Sequence, residues 1–226
     1  GDDTRSWPPF VGGEAPYFMS VNRNKKSVTL NLKAPAARKI FTDLVKMSDV
    51  VVENFRPGTL EKMGLGFPVL QAANPRLVLC SISGFGQRGP YRDRRAFDPI
   101  VQAMSGISSI TGYPDRPPVR CGAAISDTAA SLYGVIGILS ALRARERTGQ
   151  GDWVDVAMLD GSFFLLADVL EYAAGGLDPQ RLGNGHQGTV PFNVYSARDG
   201  WVTLCAVTAE EWLHVLRAMG REELAT

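Results

Sequence analysis

A run of small residues broken by one acid carries the clearest chemical signal in the sequence. Residues 120–131 read RCGAAISDTAAS, and the acid is Asp127. The triplet Ser126-Asp127-Thr128 has the composition of a helix N-cap, so we expect Asp127 at the mouth of a helix running to about Arg147. The helix dipole favours an ionised carboxylate there. The residues leave two interpretations open: Asp127 caps the helix, or Asp127 is a nucleophile that a ligand can approach.

Two loops follow short apolar runs that we predict to be buried strands. Residues 54–58 (NFRPG) follow the run 49–53, and residues 83–91 (SGFGQRGPY) follow the run 77–82. The second loop contains a GxGxxG spacing, but Pro90-Tyr91 rather than a helix follows it, which argues against a dinucleotide-binding fingerprint. Four nearby arginines either hold phosphate groups or form a solvated loop. They are Arg88, Arg92, Arg94 and Arg95.

The composition argues against several classes of protein. Lys and Arg number 24 against 23 for Asp and Glu, so no global charge favours nucleic acid as a partner. The three cysteines are far apart and lack CxxC spacing, which argues against a disulfide framework or a zinc site, and we expect no metal. A reducing cytoplasm fits this cysteine usage best. No apolar run reaches the roughly 18 residues of a membrane span, so we expect no membrane partner.

The periodicity of the chain predicts an α/β fold with a parallel sheet. Residues 27–33 alternate apolar and polar side chains and predict a strand, the helix after it ends near Met47, and 49–53 predicts a buried strand. This strand-helix-strand spacing is typical of a βαβ unit, in which ligands bind beyond the carboxyl ends of the strands. Further strands are predicted at 77–82 and 153–158.

Helices account for most of the remaining chain. They are predicted at 60–63, 68–73, 100–110, 127–147 and 159–173. The helix that begins at Asp127 is apolar on most of its faces, and we expect it to be buried on most of them. Near the end of the chain, 193–205 predicts a hairpin with an Asp-Gly turn, and 210–219 predicts an amphipathic helix.

These elements suggest two domains. Residues 1–173 form a large Rossmann-like domain, 174–186 a linker rich in glycine, and 187–226 the start of a smaller α+β domain that is incomplete at its carboxyl end. The chain begins without Met and ends just after a helical pattern, so we expect it to be a fragment of a longer polypeptide.

An ordered series of motifs carries a resemblance to a known family. The motifs are GDDTR at 1–5, NRNKKS at 22–27, VENFRPG at 52–58, PR at 75–76, GFG at 84–86, GAAISD at 122–127 and RLGN at 181–184. Together they resemble the class III CoA-transferase family, whose members include formyl-CoA transferase and carnitine CoA-transferase, and which also contains the α-methylacyl-CoA racemases. The similarity runs along essentially the whole chain.

The resemblance implies an activity and favours one interpretation of Asp127. The family's nucleophile is an aspartate in this Gly-Ala-Ala-x-x-Asp context, which corresponds to Asp127 and not to Asp160. The implied enzyme moves CoA from an acyl-CoA to a carboxylic acid through a covalent aspartyl intermediate, with CoA as the substrate group and no metal. Backbone N–H groups near Gly122 would stabilise the oxyanions.

The resemblance also implies the residues that contact substrate. The positions that correspond to CoA contacts in the family are Leu30, Lys33, Asn54, Phe55, Arg56, Lys62, Met63, Arg95, Ala96, Phe97 and Asp98. Lys62 stands where formyl-CoA transferase has arginine, which keeps the charge but loses bidentate geometry. Trp7 corresponds to a tryptophan near the acyl pocket. The glycine loop that closes over the aspartate is represented loosely by 183–188, with Gly185 and Gly188.

Phe97 distinguishes two activities within the family. The racemases have a histidine at this position, and it exchanges the α-proton together with the aspartate; phenylalanine cannot move a proton. Transfer is therefore favoured over racemisation, and a non-catalytic fragment is the third hypothesis. Relative to the family, the chain lacks the first βα unit and the rest of the small domain. The resemblance further implies a homodimer of two interlocked chains.

Overall fold

We describe the protein from a computed structural model, and the description covers residues 2–225. Three strands form a parallel sheet and two more form an antiparallel hairpin. The strands are β1 (Val50–Glu53), β2 (Val78–Ser83), β3 (Trp153–Ala157), β4 (Phe192–Ser196) and β5 (Trp201–Cys205). The helices are α1 (Pro16–Val21), α2 (Pro35–Lys46), α3 (Thr59–Lys62), α4 (Phe67–Ala73), α5 (Asp98–Ser105), α6 (Ile107–Ile110), α7 (Ile125–Thr148), α8 (Met158–Phe164), α9 (Ala167–Ala174) and α10 (Ala209–Met219).

The parallel sheet has the order β1-β2-β3, so β2 is its central strand. Val52 lies opposite Cys80 across the first pair, and Cys80 lies opposite Val154 across the second. Helices α3 and α4 connect β1 to β2, and helices α5 to α7 connect β2 to β3. Because all three strands run in the same direction, their carboxyl ends meet at one edge of the sheet. This confirms the predicted α/β class.

Apolar side chains cover the two faces of the sheet. One cluster of buried residues lies under α2, α3 and α4, and consists of Val45, Leu60, Leu65, Leu70, Leu77 and Leu79. The other cluster lies under α5, α7 and α8, and consists of Cys80, Val101, Ala130, Val156 and Met158. Leu79 and Cys80 are neighbours on β2 but belong to different clusters, because successive side chains of a strand point to opposite faces.

The strand predicted at 27–33 is wrong. These residues form a loop and a turn, in which the Ala34 N–H donates to the Asn31 carbonyl at 2.8 Å and the Lys33 N–H donates to the Asn31 side chain at 3.2 Å. No strand of the described chain pairs with this segment, and Val28 remains 68% exposed. Alternating polarity without a neighbouring strand gives no ladder hydrogen bonds, so the period alone does not make a strand.

Two segments that the sequence predicts to be single helices each form two helices. The helix predicted at 100–110 is two helices, α5 and α6, separated by Gly106 at φ 99°. This is a left-handed conformation that glycine adopts without strain and that an α-helix cannot continue through. The helix predicted at 159–173 is divided between α8 and α9. The hairpin at β4 and β5 and helix α10 lie where the sequence predicts them.

Helix α7 packs against the sheet through its small residues. Its buried positions are Ser126, Ala129, Ala130, Gly134 and Ala141. A Cβ on Gly137 would lie 2.5 Å from the Val154 side chain, so the helix and β3 approach too closely there for anything but glycine. Four large apolar side chains face away from the sheet and are 54–61% exposed; they are Leu132, Val135, Ile136 and Leu139. The expectation that α7 is buried on most of its faces is therefore wrong.

The expectation that no apolar segment is long enough to span a membrane is wrong for α7. Over the described residues it is the one helix long and apolar enough to cross a bilayer, by length and composition alone. The core helix of a soluble protein passes the same test, and α7 is packed on β2 and β3.

Candidate functional site

A pocket of about 530 Å³ opens at the carboxyl edge of the parallel sheet. Asn54 follows β1, Ser83 ends β2, and Met158 follows β3, so each strand contributes to its wall. Parallel α/β sheets bind ligands at this edge, because the loops there are free to diverge while the strands hold them in register. The full lining is Asn54, Phe55, Arg56, Pro57, Ile82, Ser83, Gly84, Arg92, Arg94, Arg95, Ala96, Phe97, Asp127, Ala130, Ser131 and Met158.

Asp127 lies in the first turn of α7 and lines this pocket. Ala130 and Ser131 line the pocket with it, because residues three and four positions apart share one face of a helix. Asp127 is the third residue of the helix, and the N-cap position is Ala124, which makes no side-chain cap. The interpretation of Asp127 as a cap is therefore wrong. Its carboxylate is free to meet a ligand.

The surroundings of Asp127 raise the pKa of its carboxyl. Burial is the larger cause, since it removes water from the charged form, and the nearby negative charge of Asp98 is the second. The direction is opposite to the one expected from the helix dipole alone. Asp127 as a residue is exposed, so its carboxylate keeps contact with water while the surrounding protein and Asp98 raise its pKa. A carboxylate with a raised pKa is a somewhat stronger base and nucleophile once it is ionised.

Arginine side chains surround the pocket that contains Asp127. Arg56 comes from the loop after β1, and Arg92, Arg94 and Arg95 come from the loop before α5. Arg92 pairs weakly with Asp93 at 3.8 Å, and Arg94 stacks on a tyrosine ring. Within residues 2–225, neither Arg56 nor Arg95 has a carboxylate at ion-pair distance. Such arginines suit phosphate or carboxylate groups of a ligand.

Close backbone contacts hold the arginine loop at the strand ends. A Cβ built on Gly84 would lie 2.2 Å from the Cβ of Ala96, which is far inside van der Waals contact. The Gly84 carbonyl accepts a hydrogen bond from the Leu159 N–H at 3.1 Å, and the Asn54 side chain donates to the Ile82 carbonyl at 2.6 Å. These contacts join the three strand ends, and glycine at position 84 lets the arginine loop lie directly over β2.

The structure brings together part of the predicted set of site residues. Those that line the pocket are Asn54, Phe55, Arg56, Arg95, Ala96, Phe97 and Asp127. Those that lie outside its lining are Leu30, Lys33, Lys62, Met63, Trp7, Gly185 and Gly188. Met63 packs on the cluster under α2 to α4, and Trp7 tilts against Tyr17 with ring centroids 5.2 Å apart. Asp98 is 6% exposed and points into the interior.

Several residues that line the pocket are missing from the predicted set of site residues. Ser131 and Ala130 are predictable from Asp127, because they follow it at helical spacing. Met158 and Ser83 join the site only through the sheet, since they are distant from Asp127 in sequence and line the same pocket in the fold. Within the described part of the chain, no group of three or more His, Cys, Asp or Glu side chains is arranged to hold a metal ion.

Comparisons with known proteins agree with this architecture. The model of CoA-transferase family III matches residues 1–226. The chain is 45% identical to acetyl-CoA:oxalate CoA-transferase of Acetobacter aceti, over 100% of the chain and 59% of the relative. It is 40% identical to succinyl-CoA:glutarate CoA-transferase of Mus musculus, over 99% of the chain and 52% of the relative.

Solved structures show the same fold. A CAIB/BAIF family protein from Brucella suis superposes with a TM-score of 0.88 at 41% identity, over 100% of this chain and 61% of that one. Rv3272 from Mycobacterium tuberculosis superposes with a TM-score of 0.87 at 31% identity, over 99% of this chain and 60% of that one. The chain thus spans 52–61% of the length of these relatives. With a family model matched along its whole length and a pocket at the carboxyl edge of its sheet, the chain belongs to CoA-transferase family III.

Proposed function

We propose that the protein transfers CoA from an acyl-CoA to a carboxylic acid, with Asp127 as the nucleophile. The observation that carries the proposal is the place of Asp127, on the wall of an arginine-lined pocket in a chain of CoA-transferase family III. The arginines supply contacts for the phosphates of CoA, and the apolar wall formed by Ala130 and Met158 leaves room for an acyl group.

The chemistry needs only the carboxylate and the two substrates. An oxygen of Asp127 attacks the thioester carbonyl, the C–S bond breaks, and CoA thiolate leaves a mixed anhydride behind. The thiolate then attacks the Asp127 carbonyl, which releases the first acid and forms an aspartyl-CoA thioester. The acceptor carboxylate attacks this thioester and expels CoA thiolate, which finally attacks the acceptor carbonyl and regenerates the Asp127 carboxylate.

The names of the relatives suggest a chemical class for the acceptor acid. They combine acetyl-CoA or succinyl-CoA with oxalate or glutarate, which are both dicarboxylates. We extend this to the present protein as a small dicarboxylic acid acceptor. A second carboxylate on the acceptor would find positive charge in the same pocket at Arg56 and Arg95, which have no carboxylate at ion-pair distance within residues 2–225.

Phe97 supports transfer over racemisation. The ring lines the pocket and is 74% exposed, and neither of the two histidines, His186 and His214, belongs to the pocket lining. A phenyl ring has no proton to exchange with the α-carbon of an acyl-CoA. Exchange of the α-proton into deuterated water without formation of a second acyl-CoA would contradict the proposal in favour of isomerase activity.

Hydroxylamine should trap the aspartyl intermediate. Incubation of the complete protein with acyl-CoA and hydroxylamine converts the aspartyl-CoA thioester into a hydroxamate and free CoA, because the amine attacks the thioester carbonyl. Peptide mass analysis should locate the hydroxamate on Asp127, and only when acyl-CoA is present. The peptide containing Asp160, an exposed aspartate outside this pocket, is the internal control. A hydroxamate on another acid, with Asp127 unmodified during turnover, would reject the assignment.

Replacing a pocket arginine by a neutral residue should weaken acyl-CoA binding more than it slows turnover. We expect Arg56→Gln and Arg95→Gln each to raise the KM for acyl-CoA by about tenfold, since each removes a charge-assisted hydrogen bond worth about 1.5–3 kcal/mol. Steady-state kinetics across acyl-CoA concentrations give the measurement. Arg88→Gln is the matched control, because Arg88 is exposed in the preceding loop but lies outside the pocket lining. Equal KM values in all three variants would contradict the arginine assignment.

A further inference from the structure

Gln102 is a buried amide in helix α5 with bonds to three different groups. It is 0% exposed. Its Nε2 donates to Asp98 Oδ2 at 2.7 Å and to the Ala123 carbonyl at 3.3 Å, while its Oε1 accepts from the Cys121 N–H at 2.7 Å. A carboxylate and a carbonyl require the amino group, and an N–H requires the oxygen, so the partners fix the orientation of the amide.

Asp98 extends these contacts to the start of α7. Its second oxygen, Oδ1, accepts from the Ser126 N–H at 2.9 Å. The two side chains therefore hold the backbone of residues 121–126 at three points, the Cys121 N–H, the Ala123 carbonyl and the Ser126 N–H. We call this arrangement the 98–102 clamp. It stands in for the missing N-cap side chain of α7.

Outside the clamp, the segment also receives hydrogen bonds from the exposed Arg120 side chain, whose Nη1 donates to the Cys121 carbonyl at 3.0 Å and to the Gly122 carbonyl at 3.4 Å. A Cβ on Gly122 would find no atom within 4 Å, so packing does not hold the loop at that residue. Gly122 and Ala123 are exposed. The buried Asp98 and Gln102 side chains of α5 thus hold from the interior the segment that leads directly into Asp127, while Arg120 contacts it from the exposed side.

We infer that Gln102 is a positioning residue for the reaction, which holds residues 121–126 so that the Asp127 carboxylate faces the thioester. The inference rests on the proposed function of Asp127. Because a misplacement of about 1 Å can lower the rate about 10²-fold, loss of the clamp should be visible in turnover even though Gln102 never meets substrate.

Replacement of Gln102 by methionine tests the inference in the complete protein. Methionine has a similar volume but cannot reproduce the three hydrogen bonds. We expect kcat to fall by about 10²-fold while the KM for acyl-CoA changes by less than about twofold, since the arginines that bind CoA are untouched. Ser105→Ala is the matched control. Ser105 is buried on the same helix, but its hydroxyl donates only to the carbonyl of Gln102, and the variant should keep wild-type kinetics.

Amide hydrogen exchange of the unsubstituted protein tests the clamp independently of how the variant folds. The Cys121 and Ser126 N–H groups donate to the clamp, whereas the Gly122 N–H donates no hydrogen bond within residues 2–225. Cys121 and Ser126 should exchange at least about tenfold more slowly than Gly122. Equal exchange at the three amides would overturn the inference.

The outcomes separate this inference from the proposed function. If Asp127→Asn abolishes transfer but Gln102→Met retains the kcat of the wild type, the positioning role is wrong and the nucleophile stands. If Asp127→Asn retains full transfer, the proposed function fails, and the inference fails with it. A parallel rise in KM and fall in kcat for Gln102→Met would indicate general disruption of the site, and would also overturn the positioning role.

Discussion

Replacement of Asp127 by asparagine should lower kcat for CoA transfer by at least about 10³-fold, because removal of a covalent nucleophile leaves only binding and polarisation. Asparagine keeps the size of the side chain in the first turn of α7, so the pocket retains its shape. The measurement is the formation of a second acyl-CoA from a donor acyl-CoA and a dicarboxylic acid. Asp160→Asn is the control and should keep wild-type turnover. Retention of transfer by Asp127→Asn would reject the mechanism.

The same substitution should leave the fold at least as stable at neutral pH. Since the pKa of Asp127 is raised in the folded state, ionising it above that pKa destabilises the folded protein relative to the unfolded chain. Asparagine cannot ionise and removes this destabilisation. The difference in the free energy of unfolding between Asp127→Asn and the wild type should shrink as pH falls through the raised pKa of Asp127. It should vanish below 3.8, the ordinary pKa of an aspartate. Urea unfolding at pH 7 and pH 4 measures it, and a large loss of stability at pH 7 would mean that lost activity reflects misfolding.

Replacement of Gly84 by alanine should destabilise the protein by about 2 kcal/mol or more. The new Cβ would lie 2.2 Å from the Ala96 Cβ, and overpacking of a close contact typically costs about 1–3 kcal/mol. Relief requires the loop that carries Arg92, Arg94 and Arg95 to move away from β2. We therefore expect weaker acyl-CoA binding together with the lower free energy of unfolding. Denaturant unfolding and KM determination check both effects.

A second substitution should reverse the effect of the first. Ala96→Gly removes the Cβ that the alanine at position 84 meets, and the next nearest atom of residue 96 is the Cα at 3.6 Å, an ordinary contact distance. The double variant Gly84→Ala with Ala96→Gly should thus recover most of the stability and the CoA affinity. Additive losses in the double variant would show that the two residues do not oppose each other, and that the contact between these residues is not what seats the arginine loop.

The strands of the sheet and much of the pocket could be predicted from local sequence. Short apolar runs at 49–53 and 77–82 are long enough for strands and too short for helices, and a parallel sheet brings the loops after them to one edge. That argument alone places Asn54, Arg56 and the arginine loop together. The motif resemblance then identifies Asp127 as the acid to consider, whereas the local capping pattern assigned it the wrong role.

The remaining features depend on contacts that sequence periodicity does not encode. The strand predicted at 27–33 has the right alternation, but no strand of the described chain pairs with it. Gln102 had no motif and sits among apolar residues of α5, so only its three-dimensional partners show its importance. The exposed apolar face of α7 was expected to be buried because apolar composition was read as burial, whereas the helix packs through alanine, glycine and serine.

The 98–102 clamp, which takes the place of an N-cap side chain for α7, has a consequence for the order in which the protein folds. The first turn of this helix depends on a carboxylate 28 residues away in the sequence, so it cannot be completed by local interactions. A peptide spanning residues 121–148 should therefore be frayed at its amino end, however helical its middle is. The geometry around Asp127 then arises only when α5 docks beside α7. The amino end of this helix is therefore expected to form late and to report sensitively on native tertiary structure.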